Sequence, residues 1–202
     1  MASAHDGIRV TPARVADGPA IAAMWHSYIE GLLPLRPELE DQRGPDGRFP
    51  ISKNYPAPPG GGKYTWFVIR DGDAMCGFVL TSDCSADHPR LPQPVFEFDE
   101  IFVDPECRGR GLASAANRML VERLRPGTLL VFVLEGNTPA LKLVTGLFNE
   151  YTGKPPIAIP QSRGAGDEFD GTYFALVFDS SGARSVRLIA NSSGAKDDAG
   201  GD

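Results

Sequence analysis

Residues 95–124 read VFEFDEIFVDPECRGRGLASAANRMLVERL, and this stretch decides the fold. Its β-branched and aromatic beginning predicts a strand, which ends at Asp104-Pro105 because proline cannot continue a β-ladder. From Gly111 onward, apolar residues recur at intervals of three and four, which is typical of a helix. The stretch therefore predicts a strand, a loop and a helix in direct succession.

The loop in this stretch has the composition of an anion site. Gly109 and Gly111 let the backbone approach a ligand without interference from a Cβ atom. The start of the following helix presents unpaired amides and the positive end of the helix dipole, with Arg108 and Arg110 beside it. This combination favours a phosphate or pyrophosphate ligand.

The rest of the chain adds strands and helices on both sides of this stretch. A short strand at residues 8–10 precedes a helix that Asp17 can cap, and residues 65–70 and 74–81 form a hairpin around Asp71-Gly72-Asp73. Residues 129–134 are apolar throughout and predict a buried strand beside the central one, since strand, helix and strand form a crossover unit.

The remaining segments set the domain limits. A helix opens at Asn137, residues 172–179 predict the last strand, and residues 44–62 form a long loop rich in proline and glycine. We expect a flexible start over residues 1–7, one domain over residues 8–179, and a largely disordered tail over residues 180–202.

Composition narrows the class of protein. With 20 basic and 26 acidic residues the formal net charge is -6, which argues against a nucleic-acid or anionic-membrane partner. Cys76, Cys84 and Cys107 form neither an even disulfide set nor a CxxC metal pattern. The sequence contains no apolar run of the roughly 20 residues that span a bilayer, and its beginning is unlike a signal peptide. We expect a cytoplasmic protein without a metal.

Two other phosphate-binding motifs fit less well than a simple anion loop. A dinucleotide-binding fold needs a glycine three residues after Gly111, where Ser114 stands. A nucleotide P-loop ends in Gly-Lys-Ser/Thr, whereas Gly62-Lys63 is followed by Tyr64 and by no predicted helix.

The same residues resemble the GNAT superfamily of N-acetyltransferases. Residues 108–113, Arg-Gly-Arg-Gly-Leu-Ala, fit that family's Arg/Gln-x-x-Gly-x-Gly/Ala signature, and residues 137–140, Asn-Thr-Pro-Ala, resemble its Asn-x-x-Ala segment. The resemblance covers residues 8–179. It implies an α/β GNAT fold, which is a mixed twisted sheet of about six or seven strands with helices on both faces.

The resemblance also implies acetyl-CoA as co-substrate, lying where two neighbouring parallel strands splay apart. On that basis the backbone of Ile101, Phe102 and Val103 would pair with the pantetheine arm, and Asn137 and Ala140 would lie along its other side. The pyrophosphate would be held by the backbone amides of Arg108, Gly109, Arg110, Gly111, Leu112 and Ala113.

Acetylation of an amine needs a base that deprotonates the incoming ammonium. Asp99 matches a position where several family members carry an acidic residue, so we take it as the base, with Glu100 as the second candidate. Because side chains alternate along a strand, Glu97 and Asp99 should share one face and Glu100 should take the other, unless a bulge intervenes.

The acid that protonates the departing thiolate is harder to place. The family's tyrosine would stand seven residues after Asn137, and that position here is Val144. Tyr151 and Tyr173 are possible substitutes, although neither is at the motif position. Cys107 borders two arginines and a helix start, which lower a thiol pKa, but no histidine is close enough in sequence to make it an acyl-enzyme nucleophile.

The implied reaction is transfer of an acetyl group from acetyl-CoA to a primary amine of a small molecule or peptide, by direct attack in a ternary complex. Residues 31–62 would form much of the acceptor pocket, since this region varies in the family. A homodimer is a possible assembly because family members are often dimers. The alternative is an acetyl-CoA-binding module with weak or no transferase activity, which Val144 favours.

Overall fold

The computed structural model describes residues 7–51, 55–124, 127–157, 159–161, 171–179 and 182–186. Within these residues the α-helices are α1 (Gly18–Leu32), α2 (Leu112–Leu124) and α3 (Thr138–Thr152). The strands are β1 (Ile8–Pro12), β2 (Gly60–Gly61), β3 (Tyr64–Asp71), β4 (Ala74–Asp83), β5 (Val95–Val103), β6 (Gly127–Leu134), β7 (Ile159–Gln161), β8 (Gly171–Asp179) and β9 (Gly182–Val186).

The strands form one mixed sheet around β5. Its main path runs β1-β3-β4-β5-β6-β8-β7, with β2 paired to β3 and β9 paired to β8. The pairing of β5 with β6 is parallel, and the other pairings along the path are antiparallel. The parallel pair is connected through α2, as the strand–helix–strand pattern predicts. The predicted six or seven strands correspond to the seven on this path.

Helices cover both faces of the sheet. On one face α1 buries Ile21, Trp25 and Ile29 against side chains of β3, β4 and β5, among them Trp66, Val68, Phe78, Leu80 and Phe102. On the other face α2 and α3 pack through Leu112, Leu120, Val144, Leu147 and Phe148. The apolar spacing of each helix thus matches the face it buries. Within the described residues, no helix is long and apolar enough to cross a membrane.

Local details differ from the sequence prediction in two places. Asp17 stands at the N-cap position of α1, but its carboxylate accepts from the Arg14 amide at 2.8 Å and pairs with Arg70 at 2.5 Å, so it does not cap α1. Gly182–Val186, which lies in the expected tail, forms β9 along the outer edge of β8. Residues 1–6, 180–181 and 187–202, which also belong to the two expected flexible ends, lie outside the described residues.

The long loop before β3 packs against the domain at two buried points. Phe49 is buried under α1, and the Trp66 indole donates to the carbonyl of Pro56 at 2.9 Å. A loop with buried anchors holds its remaining side chains in fixed positions, which matters for the side chains near β5.

We expect Gly77→Ala to destabilise the protein by about 1–3 kcal/mol, because a Cβ at this position is an overpacking change. The added atom would lie 2.2 Å from the carbonyl oxygen of Phe102 on β5. The matched control is Gly146→Ala in α3, where no atom lies within 4 Å of the added Cβ and the helix should gain stability. Urea denaturation of both variants tests this, and an unchanged midpoint for Gly77→Ala would contradict it.

Candidate active site

A cleft opens where β5 and β6 part. The two strands pair from Val95 with Thr128 to Phe98 with Val131. Beyond that rung β5 pairs with β4 up to Val103, while β6 pairs with β8 up to Leu134. Among the described residues, the β6-facing backbone edge of Ile101, Phe102 and Val103 therefore has no strand partner. A polar backbone edge of this kind can hydrogen-bond an extended ligand.

The glycine loop lies at the open end of this cleft. Gly109 and Gly111 have φ angles of 75° and 74°, which L-residues with a Cβ rarely adopt. The loop leads directly into α2, whose first turn leaves the amides of Leu112 and Ala113 without an acceptor inside the helix. These amides, together with the two glycines, form a turn of the kind that can bind an anion.

Two arginines of this loop are held at its rim. The Arg108 Nε donates to the Val103 carbonyl at 2.9 Å, and its guanidinium lies 5.7 Å from the centre of the Phe102 ring. Arg110 forms an ion pair with Asp71 at the end of β3. The loop is therefore tied both to β5 and to the β3–β4 hairpin.

Asn137 and Ala140 lie at the start of α3, directly after β6. The Asn137 side-chain oxygen accepts from the Ala140 amide at 3.1 Å, so Asn137 is the N-cap of this helix. The Asn-x-x-Ala spacing consequently has a local structural role as a cap. It also places both residues beyond the end of β6, on the side of the cleft opposite β5.

A β-bulge decides where the carboxylates of β5 point. Leu80 pairs with Glu100, whereas the next residue, Thr81, pairs with Phe98, so Asp99 is the extra residue. Phe98 packs in the α2–α3 core, while Glu100 contacts α1 on the opposite face. The bulge is the exception that the alternation argument allowed. The bulge places Glu100 on the same face as Glu97 and Asp99. The Asp99 carboxyl lies near enough to each glutamate to interact with it electrostatically.

Burial makes these three groups unusually weak acids. Burial, together with the neighbouring Asp99 charge, raises the pKa of Glu97 to about 7. Burial likewise raises the pKa of Asp99 to about 6, against a hydrogen bond from Ser82 that lowers it. The pKa of Glu100 rises to about 7 through burial, opposed by two tyrosine hydrogen bonds. Such values are suited to proton transfer near neutral pH.

Asp99 and Glu100 differ in how their oxygens are occupied. Glu100 accepts from the Tyr28 hydroxyl at Oε2 and from the Tyr55 hydroxyl at Oε1, the latter at 3.1 Å. Asp99 Oδ2 is buried and has no hydrogen-bond partner within the described residues. Asp99 is therefore free to accept a proton, whereas both oxygens of Glu100 are engaged.

Aromatic side chains surround this carboxylate cluster. Tyr55 packs edge-on against Tyr64, with ring centroids 5.5 Å apart, and against Trp25 at 5.9 Å. The sequence alone did not identify Tyr55 or Tyr64 as neighbours of these carboxyls. The available signal was an aromatic residue inside a proline-rich loop, which by itself does not indicate where the loop folds back.

The motif position, Val144, and the two tyrosines considered as substitutes lie far apart in the structure. Val144 is buried in the α2–α3 core, and Tyr151 on α3 donates to Glu122 at 2.9 Å. Tyr173 on β8 lies beside Glu97, to which its hydroxyl hydrogen-bonds. Of these three residues, the fold brings only Tyr173 to the carboxylate cluster.

Cys107 is not an activated thiol. A hydrogen bond with Cys76 and burial raise the pKa of its thiol to about 11, so the two nearby arginines do not produce the lowering that its sequence neighbours indicated. His26 accepts from the Phe49 amide at 3.3 Å on the far side of α1 and supports the loop. Neither residue contributes to the cleft.

Comparisons with known proteins agree with this geometry. The model of the acetyltransferase (GNAT) family matches residues 26–145. A mycothiol acetyltransferase from Rhodococcus erythropolis is 32% identical over 84 residues, which cover 41% of this chain and 26% of that protein. The chain thus matches about a quarter of the length of this curated relative.

Solved structures share the fold at low sequence identity. The ribosomal-protein-S18-alanine N-acetyltransferase of Escherichia coli superposes with a TM-score of 0.51 at 18% identity, over 92% of this chain and 97% of that one. An acetyltransferase structure from Salmonella typhimurium with its cofactor acetyl-CoA gives a TM-score of 0.53 at 16% identity, over 87% and 96%. The solved structures show the fold, and the family match, which covers more than half of the chain, shows that the chain belongs to the acetyltransferase (GNAT) family.

Proposed function

We propose that this protein transfers the acetyl group of acetyl-CoA to a primary amine by direct attack within a ternary complex. The observation that carries the proposal is the position of Asp99. Its unpartnered carboxylate oxygen lies at the rung where β5 and β6 part, on the strand whose far end leads to the glycine loop. In this proposal the anion site and the base lie at the two ends of one strand segment.

The donor would lie along β5. The amides from Arg108 to Ala113 would bind the pyrophosphate, and the backbone edge of Ile101, Phe102 and Val103 would pair with the pantetheine arm. From Val103 back to Asp99 the strand spans about 13 Å, at about 3.3 Å per residue. The acetyl group would then reach the splay point, with Asn137 and Ala140 along the other side of the arm.

The base solves a specific problem of this reaction. An alkylamine has a pKa near that of lysine, about 10.4, so it arrives as an ammonium and must lose a proton before it can attack. Asp99 has a pKa of about 6 and is mostly ionised at neutral pH. Its carboxylate can attract the ammonium and take the proton, directly or through a water molecule. Glu100 would hold the aromatic wall through Tyr28 and Tyr55.

The acceptor would bind on the face where the three carboxyls and the tyrosines meet. Tyr55 comes from the long loop, in agreement with an acceptor pocket built partly from residues 31–62. The names of the relatives include mycothiol and a ribosomal-protein alanine, so the acceptor screen should contain both small amines and peptide N-termini. A cytoplasmic location and a homodimer stay predictions.

The second candidate is an acetyl-CoA-binding module with little or no transferase activity. The observation in its favour is Val144, since a buried valine occupies the position of the family's acid. Continuous release of CoA in the presence of an amine would exclude a binding module. Acetyl-CoA binding without turnover on any amine of the screen would support it.

We expect acetyl-CoA and CoA, but not NADH, to raise the melting temperature by several degrees, since a ligand at 100 times its Kd stabilises the native state by about 2.7 kcal/mol. Gly109→Ala should reduce this shift strongly, because the added methyl group would take up space beside the loop that the pyrophosphate needs. A thermal-shift titration measures both effects.

The control for Gly109→Ala is Gly153→Ala. Both glycines have positive φ angles, 75° and 67°, and neither has an atom within 4 Å of the added Cβ. The two variants should therefore lose similar amounts of intrinsic stability, while Gly153→Ala keeps the ligand-induced shift. Equal shifts in both variants would mean that the loop does not bind the donor.

We expect Asp99→Asn to lower kcat by about 10²–10⁴-fold, the usual contribution of a general base, without changing acetyl-CoA affinity. In the wild type kcat/KM should rise with pH through about 6, as Asp99 loses its proton, and Asp99→Asn should lack this limb. Steady-state kinetics with an amine from the screen measure both. A larger loss in Glu100→Gln than in Asp99→Asn would assign the base to Glu100 instead.

A further inference from the structure

Tyr173 and Asp99 flank the splay point on the same level of the sheet. The last shared rung joins Phe98 on β5, Val131 on β6 and Phe174 on β8. The next level contains Phe132 on β6, which pairs with Tyr173 on β8, and the residue at this level on β5 is Asp99. The separation of β5 from β6 therefore begins between these two side chains.

The side chains of Tyr173 and Asp99 point to the same face of the sheet, which is also the face of Glu97. Val95, Leu130 and Ala175 form one buried cluster on the face opposite the α2–α3 core. Glu97 follows Val95 by two residues, and Phe132 and Tyr173 are two residues from Leu130 and Ala175, so all of them take that face. The ring of Tyr173 lies against Phe132, with centroids 4.8 Å apart.

The Tyr173 hydroxyl reaches across β6. It hydrogen-bonds the carboxyl of Glu97, which stands on β5 two strands away. Since neighbouring strands are about 4.8 Å apart, the side chain must extend over the gap between β5 and β6 to make this contact. The Glu97 carboxyl also accepts from the Cys84 thiol, with 3.8 Å between the two atoms, which fixes it as the partner of Tyr173.

We propose that Tyr173 is the catalytic acid of this enzyme and donates its phenolic proton to the sulfur of CoA as the thioester breaks. The assignment rests on the proposed function, because it requires the acetyl group to lie at the splay point. Tyr173 thereby takes, from strand β8, the role that no side chain on α3 fills at Val144.

The proton balance of this step is closed. The ammonium first loses one proton to Asp99, which passes it to solvent, and the amine nitrogen then forms a bond to the acetyl carbon. The nitrogen loses its second proton to water as the amide forms, so two protons leave nitrogen while one is taken up at sulfur. The carbon–sulfur bond breaks, the sulfur keeps the electron pair, and it takes the phenolic proton of Tyr173. Glu97, partly protonated at neutral pH because its pKa is about 7, returns a proton to the phenolate and is reprotonated by solvent.

Other hydroxyl and thiol groups near the cleft are less suited to this step. The hydroxyls of Tyr28 and Tyr55 donate to Glu100, which lies on β5 beyond the bulge and pairs with Leu80 of β4, and Tyr151 donates to Glu122 beyond the opposite face. Among the residues that the structure describes, the titratable groups that interact with Glu97, apart from Tyr173, include Asp99, Cys84, Lys63 and Tyr64. Asp99 is engaged as the base, and Tyr173 is the tyrosine that β8 brings to the level of Asp99 at the splay point.

The test compares Tyr173→Phe with Tyr151→Phe, each of which removes one hydroxyl that is bonded to a glutamate. We use acetyl-CoA and the fastest acceptor of the amine screen, and measure kcat, acetyl-CoA Kd and the pH profile. Tyr173→Phe should lower kcat by about 10²-fold or more, keep Kd within twofold, and abolish the alkaline fall of kcat. Tyr151→Phe should behave as the wild type.

A second variant covers the case in which Tyr173→Phe fails to fold. Fluorotyrosine at position 173 keeps the hydroxyl and its contact with Glu97 but has a more acidic phenol, so the alkaline limb should move to lower pH. A purely structural tyrosine would leave that limb in place.

The outcomes separate the two proposals. If the wild type neither binds acetyl-CoA nor releases CoA with any amine, the proposed function fails, and the role of Tyr173 fails with it. If the wild type turns over and Tyr173→Phe keeps its kcat and alkaline limb, only the assignment of Tyr173 is wrong. A loss of acetyl-CoA binding at unchanged kcat would also overturn it.

Discussion

The short parallel ladder between β5 and β6 is the constraint on which the rest of the site depends. Four residue pairs hold the two strands together, and after Phe98 and Val131 each strand continues with a different neighbour. The parting of the strands frees one backbone edge of β5 and exposes the interior of the sheet to a ligand. Because β5 leads directly into the glycine loop and α2, the free edge and the anion site have a fixed separation.

The bulge at Asp99 converts this opening into a chemical site, at a cost in stability. It places three carboxyls on one half-buried face, and burial raises the pKa of each to about 6 or 7. These pKa values lie above those of the same groups in an unfolded chain, about 4, so the folded state binds protons more tightly than the unfolded chain. The resulting contribution to the free energy of unfolding is fully present below about pH 4 and is lost as the pH rises through 6–7. At neutral pH the empty cleft therefore contains partly charged groups that a cationic amine would stabilise.

The sequence predicted the elements that depend on local chemistry. The strand at 95–103, the helix from Leu112, the hairpin around Gly72 and the helix start at Asn137 each follow from propensity, turn residues or spacing. The family resemblance then implied a mixed sheet with helices on both faces. Strand β9 was not predicted, because its sequence is rich in small and polar residues, a composition that is also typical of a disordered tail. Its pairing comes from β8 and not from its own apolar content.

The site was harder to predict, for a physical reason that Glu100 and Tyr173 illustrate. The face that Glu100 takes depends on one extra residue in a ladder, and no local signal separates a bulged strand from a regular one. Tyr173 meets Glu97 only because β8 pairs antiparallel with β6, over a register set by contacts distant in sequence. A motif records the position of a group along the chain, whereas the reaction requires a position relative to the cleft. An antiparallel neighbour of β6 can bring a side chain to the same point as a helix that follows β6, so the absence of a tyrosine at Val144 does not establish that the cleft has no acid.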